Sequence, residues 1–350
     1  MPQNGSLAPG EARSAGAIHH RRVPQAWPTD RKFRILSIDG GGIRGVFPAA
    51  FLRELERVHT GGRSIGEYFD LVAGTSTGGI LALGLAAGFT ASDLQELYVE
   101  RGREIFPRPF GGWLGRVIGR LWYLGSARYS QKALRNVLSE KLGDLTLGDS
   151  RVRLCIPCFE GRHSEVYVFK TPHHPDYRTD RFDPMIRAAL ATSAAPVYFR
   201  PLVEGGYTFV DGGVWANNPS MLAVVEAMTA FDVERDRIEV LSIGCGDDPY
   251  RVNWLQRRFG GLFFWRTAIF AAMRLQSLAA TNQTRLLLGP GQVFRIDAPT
   301  NETKIALDDC ERAIKELVPA AKLAAAERGD EIARRLLAEP AAPYEPIPVE

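Results

Sequence analysis

The chain has 350 residues, 45% hydrophobic and 24% charged, which is the make-up of a globular protein able to bury a sizeable core. Its formal net charge of +3 is too small to imply a nucleic-acid polymer as partner, although clustered positive charge would still serve contact with an anionic surface. Four cysteines do not make a disulfide framework, residues 1–30 hold no apolar segment of the secretory kind, and apolar runs such as Ile80–Phe89 have about half of the ~18–20 residues that a membrane-spanning helix needs. A cytoplasmic location is expected, with any membrane contact peripheral.

In chain order, Met1–Asp30 is rich in Gly, Ala, Pro, Ser and Arg without periodicity and is expected as a disordered leader. Arg34–Ile38 reads as a strand that ends at Asp39-Gly40-Gly41-Gly42-Ile43-Arg44-Gly45. The helix Val46–Val58 follows, with Phe47, Ala50, Phe51, Leu55 and Val58 spaced for one face. Gly40, Gly42 and Gly45 match G-x-G-x-x-G, the pattern of a dinucleotide-binding turn. That pattern wants a ribose-binding acid at a strand end about 20 residues on. The chain has the turn Gly61-Gly62-Arg63-Ser64 there instead. Consecutive backbone N–H groups at a helix start cradle any anion, a transient oxyanion included.

Ile65–Ala73 ends as a short buried strand would, and Gly79–Ala87 reads as an apolar helix. Between them, Gly74-Thr75-Ser76-Thr77-Gly78 fits G-x-S-x-G, the strand-to-helix turn that lifts a serine out of the backbone. Gly74 and Gly78 leave room for so sharp a turn, and the helix start points N–H groups and a positive dipole end at the serine oxygen. Ala91–Ile105 is a charged helix capped by Thr90 or Ser92. Phe106–Tyr129 mixes Trp113, Leu114, Trp122 and Tyr123 with Arg108, Arg116, Arg120 and Arg128, suited to a lipid interface or to a buried cap. Ser130–Leu142 is a further helix.

Arg151–Phe159 and Glu165–Phe169 read as a strand pair. Cys155 and Cys158, spaced C-x-x-C around Pro157 in an apolar strand, are expected as core cysteines. His173 and His174 with Asp176 and Asp180 read as a solvated turn rather than a metal site. Pro184–Ala195 is a helix, and Gly205–Val210 is a hairpin and strand leading into Asp211-Gly212-Gly213. Ser220–Ala230 is a helix, Ile238–Ile243 the last core strand, and Trp254–Leu288 and Asp308–Leu337 are helical. Strands and helices alternate, so the fold class is α/β with a mostly parallel sheet. The expected division is a leader to residue 30, a core over 31–246 and a helical C-terminal region over 247–350.

A serine hydroxyl needs a base. The last histidine is His174, upstream of the Gly-rich strand end, so the order Ser, acid, His of an α/β-hydrolase is missing. A triad through His163 or His174 would have to draw its acid from a helix, such as the one bearing Asp93. Asp211 fits better, since it follows an apolar strand and two glycines free it. A carboxylate with a reference pKa of about 3.9 serves as base only if it touches the hydroxyl, is partly desolvated and works beside a strong oxyanion site. The amides of Gly40, Gly41, Gly42 and Thr77 and the dipole after Ser76 would supply that site.

The three motifs Asp39–Gly45, Gly74–Gly78 and Asp211–Gly213, in this order and spacing, resemble those of the patatin-like phospholipases over about Phe33–Gly246. The resemblance implies a three-layer α/β/α sandwich that hydrolyses glycerolipid acyl esters without a metal or other cofactor. It makes Ser76 the nucleophile, Asp211 the base, Gly41 and Gly42 oxyanion donors, and Arg44 the residue that orders their loop, with Gly45, Gly74, Gly78, Gly212 and Gly213 as motif glycines. More narrowly, Val168–Pro175 and Ala191–Pro196 are similar to bacterial patatin-type effectors of anti-phage defence, which implies activation by a cyclic dinucleotide and attack on the inner membrane. On that reading Arg251, Arg257, Arg258, Arg266 and Arg274, with Trp254, Phe259, Phe263, Phe264 and Trp265, would bind the activator and support self-association. The competing readings are a constitutive esterase of lipid metabolism, a nucleotide-binding protein using Gly40–Gly45, and an idle interaction protein on a hydrolase scaffold.

Overall fold

Strand β2 (Phe33–Ile38) is buried at every position, as the middle of a parallel sheet requires. Its side chains alternate between two cores: Leu36 and Ile38 join one, Phe33 and Ile35 the other. The same alternation divides β3 (Leu71–Gly74) and β9 (Ile238–Ile243), with Val72, Leu241 and Ile243 in the first core and Leu71, Ala73, Ile238 and Val240 in the second. Helices Val46–His59, Thr77–Ala86, Ala91–Ile105 and Val318–Leu336 cover the first core, and Ser220–Ala230 covers the second. The result is the expected three-layer α/β/α sandwich.

The computed structural model describes residues 22–107, 127–246, 268–299 and 305–348. Across the main sheet the order is β10 (Val293–Ile296), β9, β2, β3, β4 (Arg153–Glu160), β7 (Tyr207–Asp211) and β6 (Leu202–Glu204), with β5 (Glu165–Lys170) also on β4. The strands from β10 to β4 are parallel, while β5, β7 and β6 are antiparallel to their neighbours. Long β4 pairs through Arg153–Cys155 with β3 and through Cys158–Glu160 with β7. It thereby sets the ends of the Ser76 strand and the Asp211 strand side by side.

Several expectations are corrected. Gln25–Ala26 (β1), placed by sequence in a disordered leader, pairs with Phe231–Asp232 (β8), and Trp27 packs on Phe33 at 4.6 Å and on Phe231 at 5.4 Å between ring centroids. The aromatic ring has a pocket to fill, which composition could not show. Ile65–Ala73 does end in a short buried strand, β3, as expected; ahead of it Ile65–Tyr68 is a 3₁₀ turn, and Asp70, bonded to the Arg34 N–H, begins the turn into β3. The sheet does not end at Ile243, because β10, from the region read as helical, adds a parallel edge strand beyond it. His173 and His174 are buried rather than solvated; His173 lies between Thr171 Oγ1 at 2.8 Å and Glu226 Oε1 at 3.1 Å. Desolvation pushes the His173 imidazole below its ordinary pKa. Cys155 and Cys158 are free and buried, as expected. The expected lipid-facing stretch around Trp113 and Trp122, and the basic and aromatic run from Arg251 to Arg266, lie outside the described residues.

Candidate active site

Ser76 follows β3 and precedes the helix Thr77–Ala86, which is buried on every side. Its backbone sits at φ +54°, ψ −121°, a conformation that costs an L residue on the order of 1–3 kcal/mol and persists only when its surroundings impose it. The imposition is steric and polar. A Cβ on Gly74 would lie 2.1 Å from the Gly78 carbonyl oxygen, and one on Gly78 would lie 2.2 Å from that of Ile38. Both glycines are therefore required by close approach. The Ser76 N–H donates to Thr192 Oγ1 at 3.0 Å, and that hydroxyl donates to the Pro157 carbonyl at 2.6 Å. Thr192 thus ties the elbow to β4. Its own carbonyl accepts the Gly212 N–H at 3.3 Å, so one residue holds both the serine turn and the aspartate turn.

Asp211 is the last residue of β7 and is 3% exposed. The Gly213 N–H donates to its Oδ1 at 2.7 Å, and the Ser76 hydroxyl is its side-chain hydrogen-bond partner. Burial pushes the carboxyl up to about 6, with the bonds from Ser76 and Gly213 working the other way. The structure therefore brings together the two residues the sequence paired. The alternative partners are committed elsewhere: His163 Nδ1 pairs with Glu160 at 2.9 Å, His174 Nε2 bonds the Val23 carbonyl at 3.1 Å, and Asp93 closes a capping box with Thr90.

The glycine loop leaves β2 directly beside this pair. Of its expected donors, Gly40 is corrected: its N–H is already bonded to the Asn217 carbonyl at 3.0 Å. Gly41 and Gly42 remain. The Gly41 carbonyl accepts from the Arg44 N–H at 3.2 Å and from Arg44 Nε at 3.4 Å, so the N–H of Gly42, across the same trans peptide, points the opposite way. Arg44 orders the loop as expected. Gly42 has φ +57°, and a Cβ there would strike the Leu307 carbonyl at 2.4 Å. Thr77 opens the helix, where the first N–H groups have no partner within the helix. Among the described residues no protein group accepts from the N–H of Gly41, Gly42 or Thr77.

Two anchors of the loop escaped sequence reading. Arg295 on β10 grips the buried Asp39 carboxylate with two bonds of 2.9 and 2.8 Å. Cys245 lies under Gly41, its Sγ–H donating to the Asp39 carbonyl at 3.3 Å. The signal for Arg295 was an arginine inside the alternating run Val293–Ile296, and that for Thr192 was a threonine ahead of the Pro196 break. The dinucleotide reading fails at its second requirement, since β3 ends in the Ser76 turn rather than in a ribose-binding acid.

The family model of the patatin-like phospholipases matches residues 36–224. A cGAMP-activated phospholipase of Pseudomonas aeruginosa (strain BWHPSA011 / Pa011) is 33% identical over 321 residues, 88% of this chain and 90% of that protein. A cGAMP-activated phospholipase of Escherichia coli (strain TW11681) is 36% identical over 234 residues, 63% of this chain and 64% of that protein. Patatin-like protein 2 of Oryza sativa subsp. indica is 34% identical over 269 residues, 66% of this chain and 65% of that protein. The matched span holds the three glycine motifs and both residues of the buried pair, and the chain belongs to the patatin-like phospholipases, as an enzyme of that family.

Proposed function

We propose that the enzyme hydrolyses acyl ester bonds of membrane glycerophospholipids with Ser76 as nucleophile and Asp211 as its base. The observation that carries this is the buried Asp211 carboxyl, pushed up to about 6 and bonded to a serine held at positive φ. Asp211 takes the Ser76 proton as Oγ adds to the ester carbonyl carbon. The oxyanion forms against the N–H groups of Gly41, Gly42 and Thr77 and the dipole of the following helix, each donor being worth ~10²–10³ in rate. Collapse breaks the ester C–O bond, and Asp211 returns the proton to the leaving lysolipid alkoxide. Water then adds to the acyl-enzyme, gives its proton to Asp211, and the fatty acid leaves as Ser76 is reprotonated. No metal or cofactor takes part in these steps.

We further propose that a cyclic dinucleotide switches the enzyme on, with self-association, and that it acts from the cytoplasm on the inner membrane in anti-phage defence. The names of the two bacterial relatives support the ligand class. Among the described residues no helix is long and apolar enough to cross a membrane, which fits peripheral contact. The test is fluorophosphonate labelling, expected as a single adduct on Ser76, together with hydrolysis of mixed phospholipid vesicles across a panel of cyclic dinucleotides. Full activity of the monomer without nucleotide would favour a constitutive lipase and leave the dyad standing.

A further inference from the structure

Asn217 lies between the short helix Gly213–Ala216 and the helix Ser220–Ala230, and is 5% exposed. Its carbonyl holds the Gly40 N–H at 3.0 Å, and its Nδ2 donates to Ser277 Oγ at 3.0 Å. Its Oδ1 is buried without a hydrogen-bond partner. Two glycines locate that atom. A Cβ on Gly40 would lie 2.6 Å from it and 3.3 Å from Ser76 Cβ. A Cβ on Gly213 would lie 3.1 Å from it and 3.0 Å from Asp211 Oδ1. The end of the amide therefore reaches the point where the serine, the aspartate and the glycine loop meet.

An acceptor sealed there is costly, because buried polar atoms lose their water and this one gains nothing in return. The carboxylate of Asp211, which flanks the same point beside Gly213, is also an acceptor and offers the amide oxygen no bond. A half turn about the last side-chain bond removes both faults. It puts Oδ1 toward Ser277, whose hydroxyl donates as readily as it accepts, and the amide N–H toward Asp211.

We propose that Asn217 is a positioning residue of the dyad: in the working enzyme its amide N–H is turned to the Asp211 carboxylate, holding the base ionised and aimed at Ser76. The groups acting on Asp211 are then the Gly213 N–H, the Ser76 hydroxyl and this amide. Among the described residues no charged side chain shifts its titration. A donor placed on the charged form matters more in such a site, since nothing else offsets the desolvation of the anion. The inference rests on the Ser76–Asp211 reading, which fluorophosphonate labelling of the unmutated enzyme tests separately.

The experiment is the pH dependence of kcat/KM on a soluble short-chain ester, whose acid limb reports the ionisation of the free enzyme's base. Asn217→Ala is expected to move that limb upward by about one pH unit, the size of one hydrogen bond to a charged group. Asn217→Asp, nearly isosteric, sets a second carboxylate beside Asp211 and moves the limb further. Ser277→Ala, which takes away the donor to the turned amide, moves it the same way by less and serves if Asn217→Ala does not fold. A limb at the unmutated position in the folded variants overturns the inference. That holds whether activity falls equally at every pH, as a packing role would have it, or acyl-enzyme accumulates because the amide oxygen had held the hydrolytic water.

Discussion

Asp211→Asn is expected to make the protein more stable while abolishing turnover. In the folded state burial raises this carboxyl from an ordinary 3.8 to about 6. At 1.36 kcal/mol per pKa unit, the ionised form is disfavoured by about 3 kcal/mol relative to the unfolded chain. Between these two values the unfolded state has released its proton and the folded state has not, so stability falls as pH rises through the window. Above it the whole penalty is present; below about 3.8 both states are protonated and it is gone. Asparagine keeps the oxygen that accepts the Gly213 N–H and carries no charge to desolvate. Thermal melts at pH 7.5 should therefore show Asp211→Asn higher by roughly 5 °C, with the advantage fading as pH is lowered through 6 toward 4. Fluorophosphonate labelling at Ser76 should be nearly absent at every pH. A gain independent of pH, or no gain at pH 7.5, would refute the reasoning, since it would mean that the carboxyl is not desolvated.

Four further outcomes are expected. For the unmutated enzyme, kcat/KM should be half-maximal above the ordinary carboxyl range but not above about pH 6, since burial raises Asp211 and the turned Asn217 amide lowers it, and should fall about tenfold per unit below that point in a stopped assay with a soluble ester. Thr192→Val leaves the Ser76 N–H and the Pro157 carbonyl buried and unpaired, at about 1–3 kcal/mol each, so denaturant melts should show a loss of about 2–5 kcal/mol and kcat should fall, with Thr192→Ser restoring both. Trp113→Ala with Trp122→Ala should lower hydrolysis of vesicles much more than that of a soluble ester; equal losses would mean a buried cap. A chain cut after Gly246 loses β10 and with it Arg295, which bonds the buried Asp39 carboxylate twice, and should fail to give a cooperative melt, whereas a folded fragment that takes the fluorophosphonate label would show the C-terminal region to be dispensable.

What was legible in the sequence was whatever depends on the absence of a side chain or on strict alternation. Gly74 and Gly78 announce the elbow because no Cβ fits there, and the alternating apolar residues of β2 and β9 announce a strand between two cores. Asp211 was legible for a related reason, as a carboxylate at the end of an apolar strand with two glycines after it. Partnerships across long separations were not. Arg295 and Asp39 are 256 residues apart, and nothing local to either says that the other will neutralise it. The Gly40 N–H looked free because the motif shows a row of amides and not the carbonyl of Asn217 that takes one of them. His173 looked solvated because the carboxylate that receives it, Glu226, comes from a helix 53 residues on.

Thr192 holds the serine and aspartate turns from within the core, and further anchors of the glycine loop and of Asn217 come from the C-terminal third. Arg295 clamps Asp39 at the foot of the glycine loop, the Leu307 carbonyl holds the Ile43 N–H at 2.9 Å at its other end, and Ser277 holds Asn217 behind the aspartate. Oxyanion donors stabilise charge only when they are fixed before the charge appears, so on the proposed mechanism these bonds would serve the rate as well as the fold. They are also directional and polar, which an apolar contact is not: each is made or broken over about an ångström. They are unequal as well. Losing the bond at Ser277 or at Leu307 frees a neutral group, whereas losing Arg295 takes a charged, doubly bonded partner from the buried Asp39 carboxylate, the most costly of the three. If the proposed activator acts through the C-terminal region, the steepest energetic response on the way to Ser76 and Asp211 is expected at the Arg295–Asp39 pair, at the foot of the glycine loop.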